Sequence, residues 1–568
     1  MYACRVHTTV GNDTLPEFNG AGGTQDMMNR TYGAISCDGA VGDRGLLPGD
    51  NRTDRITKSA RSIGNPSALK ETRFIAAVVV VLLVGAFTVV LVQGHTPSSA
   101  QSSKPYTLDS LLWTVESDQA EAGFGWSVSF AGDVNNDGYD DVIVDAHCYD
   151  NGEFNEGRAF LYLGSSAGLS TTPSWTAEGN QATVEFGRSL SSAGDVNNDG
   201  YDDVIIGAYY YSNGQFAEGR AFLYLGSPAG LLATPSWTAE GDQLGALFGH
   251  AVSSAGDVNN DGYDDVVVGA KGYDNTQNQE GGAYLYLGSP GGLWGPSWTA
   301  YGYQPNASFG RSVSSAGDVN NDGYDDVVVG ADYYDNGEVD EGMAFLYLGS
   351  SDGLSTIATW IAEGDQAYAH LGCSVSSAGD VNNDGYDDVV IGASDYDNGE
   401  ENEGRAYLYL GSSDGLSASP SWVAESDQSS ASFGFSVSSA GDVNDDGYHD
   451  VFVGAPYLNY TIAGEGRAFL YLGSPTGLSA TPSWTAEGGQ AGALFGLSVS
   501  SAGDVNGDGC DEVLVGAPFY VDADGNDGRA YLYGGLALIP EFNMLMVPVV
   551  GAVAIVVALR RLHTGEAS

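Results

Sequence analysis

From Trp237 to Gly288 the chain sets out four strand-like pieces separated by polar turns. "WTAEG" opens the block, "FGHAVSSAGDV" follows with small and apolar residues in alternation, "DDVVVGA" starts at Asp264 and "GGAYLYLG" at Gly281. Alternation of period two and short β-branched or aromatic runs predict strands, while the intervening Gly, Asn, Asp and Ser predict turns. The block recurs. The nonapeptide "DVNNDGYDD" begins at Asp133, Asp195, Asp257, Asp318 and Asp380, and variants of it begin at Asp442 and Asp504, with spacings of 62, 62, 61, 62, 62 and 62 residues. Residues 106–535 therefore read as seven copies of a four-stranded unit.

Four short strands repeated seven times close into a ring of blades, which leaves no exposed sheet edge to cap. An open solenoid is the alternative, but a 62-residue period is long for its coils. The expected fold is all-β, a seven-bladed β-propeller. The 82 glycines come without a Gly-x-y period, which excludes collagen, and a hydrophobic content of 42% supports a packed core rather than disorder.

The net charge of −54, from 74 acidic and 20 basic residues, excludes nucleic acid as a partner and favours cations or basic surfaces. Four carboxylates in each of seven loops supply 28 of the 74, so the loops alone do not explain the imbalance. The five cysteines, Cys4, Cys37, Cys148, Cys373 and Cys510, are odd in number and widely spaced, supporting neither a zinc site nor a disulfide framework; they read as isolated small residues. No Gly-x-Ser-x-Gly, His-Glu-x-x-His or P-loop appears, and the histidines are scattered. His147 is the one worth testing, and the chain is not expected to be an enzyme.

In the loop that starts at Asp133, side-chain oxygens at positions 1, 3, 5 and 9 and the backbone carbonyl at position 7 form a hard oxygen set, with Gly138 at position 6 for the sharp turn. Such donors suit Ca²⁺ rather than zinc or copper. An EF-hand requires a bidentate Glu at position 12 and a helix after it; here position 12 is Val144, inside "DVIV", so the loop leaves into a strand. The candidate ligands in the first three loops are Asp133, Asn135, Asp137, Tyr139 and Asp141; Asp195, Asn197, Asp199, Tyr201 and Asp203; Asp257, Asn259, Asp261, Tyr263 and Asp265. The next three offer Asp318, Asn320, Asp322, Tyr324 and Asp326; Asp380, Asn382, Asp384, Tyr386 and Asp388; Asp442, Asn444, Asp446, Tyr448 and Asp450. The seventh has Asp504, Asn506, Asp508, Cys510 and Glu512, and its altered last ligand points to weaker or bidentate binding. About seven structural calcium ions are expected.

The units resemble FG-GAP repeats, the modules of the integrin α-subunit propeller. The naming residues stand at Phe124-Gly125, Phe186-Gly187, Phe248-Gly249, Phe309-Gly310, Phe433-Gly434 and Phe495-Gly496; unit five has Leu371-Gly372. Gly-Ala-Pro is complete at Gly454-Ala455-Pro456 and Gly516-Ala517-Pro518, whereas unit one has Asp145-Ala146-His147. The resemblance implies that the segment "YTLDSLLWTVE" from Tyr106 closes the ring, with Trp113 joining the final "GRAYLYGG" blade. It also implies structural calcium hairpins on one face and a ligand-binding face opposite. On that opposite face it puts "YYYSNGQFAEG" from Tyr209, "YYDNGEVDEG" from Tyr333 and "DYDNGEENEG" from Asp395, whose tyrosines suit sugars or basic protein groups. The expected role is adhesion or ligand binding for an unidentified protein or glycan; a structural envelope component and a polysaccharide-active enzyme are the alternatives.

Two segments have membrane character. Residues 74–92, "FIAAVVVVLLVGAFTVVLV", follow Lys70 and Arg73 and are long enough to span a bilayer or to act as a signal anchor. Residues 1–73 then read as a disordered cytoplasmic tail or as untranslated sequence, and 93–105 as a linker. In 536–568, Pro540-Glu541-Phe542, an apolar stretch and Arg560-Arg561 resemble an archaeal PEF-type sorting signal; a plain C-terminal anchor is the other reading. Either way the expected location is membrane-anchored, with the propeller outside the cell.

Overall fold

The computed structural model describes residues 111–522, 525 and 527–535. The two apolar segments and the ends of the chain lie outside these residues, and no helix among the described residues is long and apolar enough to cross a membrane. Twenty-eight strands, β1–β28 in chain order, form seven antiparallel sheets of four. In the first blade β2 (Phe124–Gly132), β3 (Asp141–Ala146), β4 (Arg158–Tyr162) and β5 (Trp175–Glu178) lie side by side in that order. Each "WTAE" piece is thus the outermost strand of the blade before it, so the sequence unit straddles two blades.

That offset closes the ring. The seventh blade contains β26 (Val499–Gly503), β27 (Glu512–Ala517) and β28 (Arg529–Tyr533), and takes its fourth strand from β1 (Leu111–Glu116). Trp113 pairs with Leu532, the closure that the FG-GAP resemblance implies, and Glu116 pairs with Arg529. The Trp113 indole donates to the Ser170 carbonyl at 3.0 Å and meets Tyr162 edge-on at 5.0 Å.

The second strand of every blade, Asp141–Ala146 in the first, is buried along its whole length, which is why it reads as an unbroken β-branched run instead of an alternating one. Each hydrophobic cluster draws on adjacent blades: Ile143 and Leu161 pack with Val204, Ile206 and Phe222 of the next blade. The closing cluster joins Trp113, Val142 and Phe160 to Leu514 and Leu532. The phenylalanines of the Phe-Gly pairs are fully buried, each a contribution of about 1.5–3 kcal/mol. Leu371 is equally buried in the fifth blade, so that departure changes side-chain shape without exposing the position.

Between Leu111 and Gly535 the sequence has eight Lys and Arg residues. Five of them, Arg158, Arg220, Arg405, Arg467 and Arg529, make the same cross-strand ion pair with the glutamate of the outer strand: Glu178, Glu240, Glu425, Glu487 and Glu116. The expectation that all cysteines are isolated fails at Cys148, which is disulfide-bonded, while Cys373 and Cys510 are free and buried. Sequence spacing reports neighbours along the chain and misses such a link in space.

Candidate functional site: the hairpin loops and the opposite face

Each nonapeptide is the hairpin between the first and second strands of a blade. Gly138 turns the chain at φ 89° and Asn136 at φ 53°, both in the left-handed region. The Asp133 carboxylate accepts the amides of Asp137 (3.0 Å) and Gly138 (2.7 Å), and Asp137 accepts that of Tyr139 (3.2 Å). Asp141 is wholly buried and accepts from the Val134 amide at 3.1 Å and the Gly164 amide at 2.8 Å. The other loops repeat these contacts. Burial pushes the Asp141 carboxyl up to about 8 against those amides, and the charges of Asp133 and Asp137 add to the rise. Asp203, Asp265, Asp326 and Asp450 reach about 8 for the same reasons, Asp388 about 7 and Glu512 about 8.

The position-three asparagine tests the fit to a cation. Asn135, Asn197, Asn259, Asn320, Asn382 and Asn444 each bury Oδ1 with no hydrogen-bond partner. A buried carbonyl oxygen left unpaired beside a carboxylate unwilling to ionise is the environment a hard cation relieves. The seventh loop differs: the Asn506 amide donates to Glu512 at 2.7 Å, so two of its candidate ligands satisfy each other. Among the described residues three carboxylates draw within 4.8 Å of one another only at Glu218, Glu240 and Asp242, outside the loops. There Glu240 is paired with Arg220 and Glu218 accepts the Asn213 amide.

Sequence reasoning missed the role of position eight. The Asp202 carboxylate accepts the amide of Asp133 in the preceding loop at 2.8 Å, and the Asp202 amide donates to the Asp133 carbonyl at 3.3 Å. Asp264, Asp325, Asp387 and Asp511 do likewise for Asp195, Asp257, Asp318 and Asp442, and Asp140 accepts from Asp504 across the closure. In loop six His449 Nδ1 takes the Asp380 amide at 3.0 Å. A Cβ at Gly132 would lie 2.2 Å from the Asp202 carboxylate, which explains the glycine before each loop. The repeated first Asp of "YDD" was the available signal.

On the opposite face, the loops between second and third strands are held by their own acids. Glu156, Glu218, Glu280, Glu341, Glu403 and Glu465 are buried and accept amides of their own loops, such as Asn151 at 2.7 Å and Asn336 at 2.6 Å. The tyrosines are largely structural: Tyr209 is buried, and Tyr211 and Tyr396 lie beneath Arg220 and Arg405, each at 3.9 Å. Tyr210 and Tyr333 are exposed. More exposed than either are the loop apices Phe154, Phe216 and Val339. The sequence pattern carries them as apolar residues at one offset inside otherwise polar loops.

Two positions on this side depart from the repetition. The residue after Phe-Gly is Trp126, Arg188, His250, Arg311, Cys373, Phe435 and Leu497 in the seven units. The seven innermost strands adjoin one another in a circle, and these residues line one pocket of about 270 Å³ at their ends away from the hairpins. The residue after Gly-Ala varies as well: it is His147 in unit one, Tyr209 in unit two, Lys271 in unit three and Asp332 in unit four. Arg188 lies 4.4 Å above the Trp126 ring and bonds Glu185 at 2.6 Å; Tyr209 donates to the same carboxylate oxygen at 2.6 Å. Arg311 reaches Asp332 at 3.4 Å. His147 is buried against Trp126, 3.4 Å from Asp145, and burial with the Arg188 charge drives its imidazole down to about 3. Asp145, where other units have Gly, caps the Ser127 amide at 2.6 Å.

Comparison with known proteins agrees with this architecture. FG-GAP repeats match at 124–161, 186–224, 374–409, 433–471 and 495–533, and an FG-GAP-like repeat matches at 257–329. Integrin alpha-5 of Xenopus laevis is 33% identical over 224 residues, 38% of this chain and 20% of the relative. Integrin alpha-IIb of Mus musculus is 38% identical over 168 residues, 28% of this chain and 16% of the relative. The chain thus spans about a fifth of the length of these relatives. Among solved structures, BBS1N in complex with ARL6DN aligns over 76% of this chain and 96% of that one, at 10% identity and a TM-score of 0.42.

Proposed function

Starting from a chain of FG-GAP repeats built into a propeller of the integrin α type, we propose that it is a calcium-clamped adhesion module, membrane-anchored and facing outward, whose side opposite the hairpins holds a protein or glycan partner. The observation that carries the calcium reading is the unpartnered, buried Oδ1 of the position-three asparagine in six loops, beside a carboxyl group whose ionisation burial opposes. Calcium supplies positive charge to each oxygen set. The ligands are the residues named loop by loop from the sequence, and the role of the metal is to hold the hairpins. The outward setting rests on the integrin α relatives and on the need of extracellular calcium modules for about 0.1–1 mM of the ion.

The partner-holding reading rests on the far-face loops: rigid backbones fixed by buried glutamates, with Phe154, Phe216 and Val339 at their exposed tips. Apolar tips on a rigid polar frame are the composition of a recognition surface. The reading is of a binder rather than a catalyst, because His147 is packed away between Trp126 and Asp145. Two measurements test the proposal on the full chain: calcium stoichiometry by equilibrium dialysis, expected near seven, and protein and glycan array binding with the F154S/F216S pair as control. A stoichiometry near zero, or a bound partner indifferent to the tip substitutions, overturns the corresponding half.

A further inference from the structure

The eight propeller cations divide unequally. Five form the repeated outer ion pair, and the remaining three, Arg188, Lys271 and Arg311, lie near enough to feel one another's charge, two of them at the pocket encircled by the innermost strands. Arg188 and Arg311 line it. Lys271 is half-buried; desolvation and the Arg311 charge, followed by Arg188 and offset in part by Asp332, hold its amine down at about 7. In a chain with a net charge of −54, three cations forced together in one place are not a solubility feature.

Their own counter-charges do not absorb all of them. Glu185 binds Arg188 and Asp332 contacts Arg311. Lys271 has neither to itself, and His250, also on the wall, buries Nδ1 with no partner. Across the ring the lining contains the apolar side chains of Phe435 and Leu497 next to Ser436 and Ser498. The volume, about 270 Å³, lies just below the range of drug-sized sites and suits one small group.

We propose that this pocket is a binding site for a single carboxylate carried on an apolar or aromatic body. The carboxylate meets Arg311 and Arg188, and the body lies against Phe435 and Leu497. A charged, hydrogen-bonded pair in a partly dry site discriminates strongly against an uncharged isostere. The near-verbatim repetition of the blades makes the point sharper: the residue after Phe-Gly is the position that differs in almost every unit, and its seven side chains meet only here. The proposal is independent of whatever partner the surrounding loops hold.

The test is titration of the full chain with phenylacetate, phenylacetamide and benzylamine at one ionic strength. Phenylacetate is expected to saturate one site and to bind at least about tenfold more tightly than phenylacetamide, with no binding of benzylamine. R311Q is expected to weaken phenylacetate by about tenfold, while R405Q, which removes the same charge from an outer ion pair, leaves it unchanged. Thermal melts of each variant confirm that the ring is intact. The proposal is overturned by the absence of saturable phenylacetate binding at about 10 mM, by equal affinity for the amide, or by R405Q matching R311Q. None of these outcomes bears on calcium stoichiometry or on the loop-tip partner.

Discussion

Thorough chelation, compared at pH 5 and pH 8, exposes the electrostatics of the seven hairpins. Each position-nine carboxyl has a folded pKa raised from the ordinary carboxylate range to about 7 or 8. A raised acid pKa means that the folded state holds its proton more tightly than the unfolded one. The metal-free fold is therefore unpenalised below about pH 4 and loses stability as pH climbs towards the folded values. At pH 7 the displacement is about three units, or about 4 kcal/mol per loop and on the order of 30 kcal/mol over seven loops. An unfolding entropy of about 2.1 cal/mol/K per residue over roughly 420 residues makes that equivalent to about 30 °C in Tm, and a third of it is easily read. Calcium reverses the slope, because it binds the ionised carboxylates. Calorimetric melts are expected to show the chelated Tm falling from pH 5 to pH 8 while the gap to the calcium-loaded protein widens. A chelated Tm that equals the loaded one at pH 8, or that rises with pH, would falsify the reasoning.

Three further outcomes are expected. N135A should lower calcium stoichiometry by one while leaving the chelated protein as stable as its parent, as equilibrium dialysis and melts can establish; the seventh loop, where Asn506 is tied to Glu512, should fill last in a calcium titration. D202A, which removes the acceptor for the Asp133 amide, should cost about 1.5–3 kcal/mol in denaturant unfolding at saturating calcium, and a change below about 0.5 kcal/mol would show the inter-loop bond to be idle. W113A should cost about 3–5 kcal/mol, since it empties a buried site, loses the Tyr162 contact and frees the Ser170 carbonyl.

The fold was legible because its signals are local and repeated: a period near 62 residues, buried β-branched second strands and a Phe-Gly pair per unit. Positions one, three, five and nine were legible because a nine-residue loop contains them all. Position eight was not, because its partner lies 69 residues away in the neighbouring loop and becomes a neighbour only when blades pack. The same limit hid the pocket: Arg188, Lys271 and Arg311 look like scattered surface charges until the ring brings three blades to one axis. The tyrosines misled in the other direction, since aromatic residues in a polar loop read as exposed, whereas Tyr211 and Tyr396 are covered by the arginines that lead the next strand.

The closure strand also decides how the ring bears load. β1 runs antiparallel to β28, so Leu111 sits across from Tyr533 at one end of the pair, and the chain enters and leaves the propeller at the same spot on its rim. Tension applied between those two points loads the ladder one rung at a time, in the manner of a zipper, and the rungs cannot share it. The propeller therefore suits hanging from a single point, where a bound partner pulls on the ring as a whole. Held between opposing tethers, it opens first at Leu111.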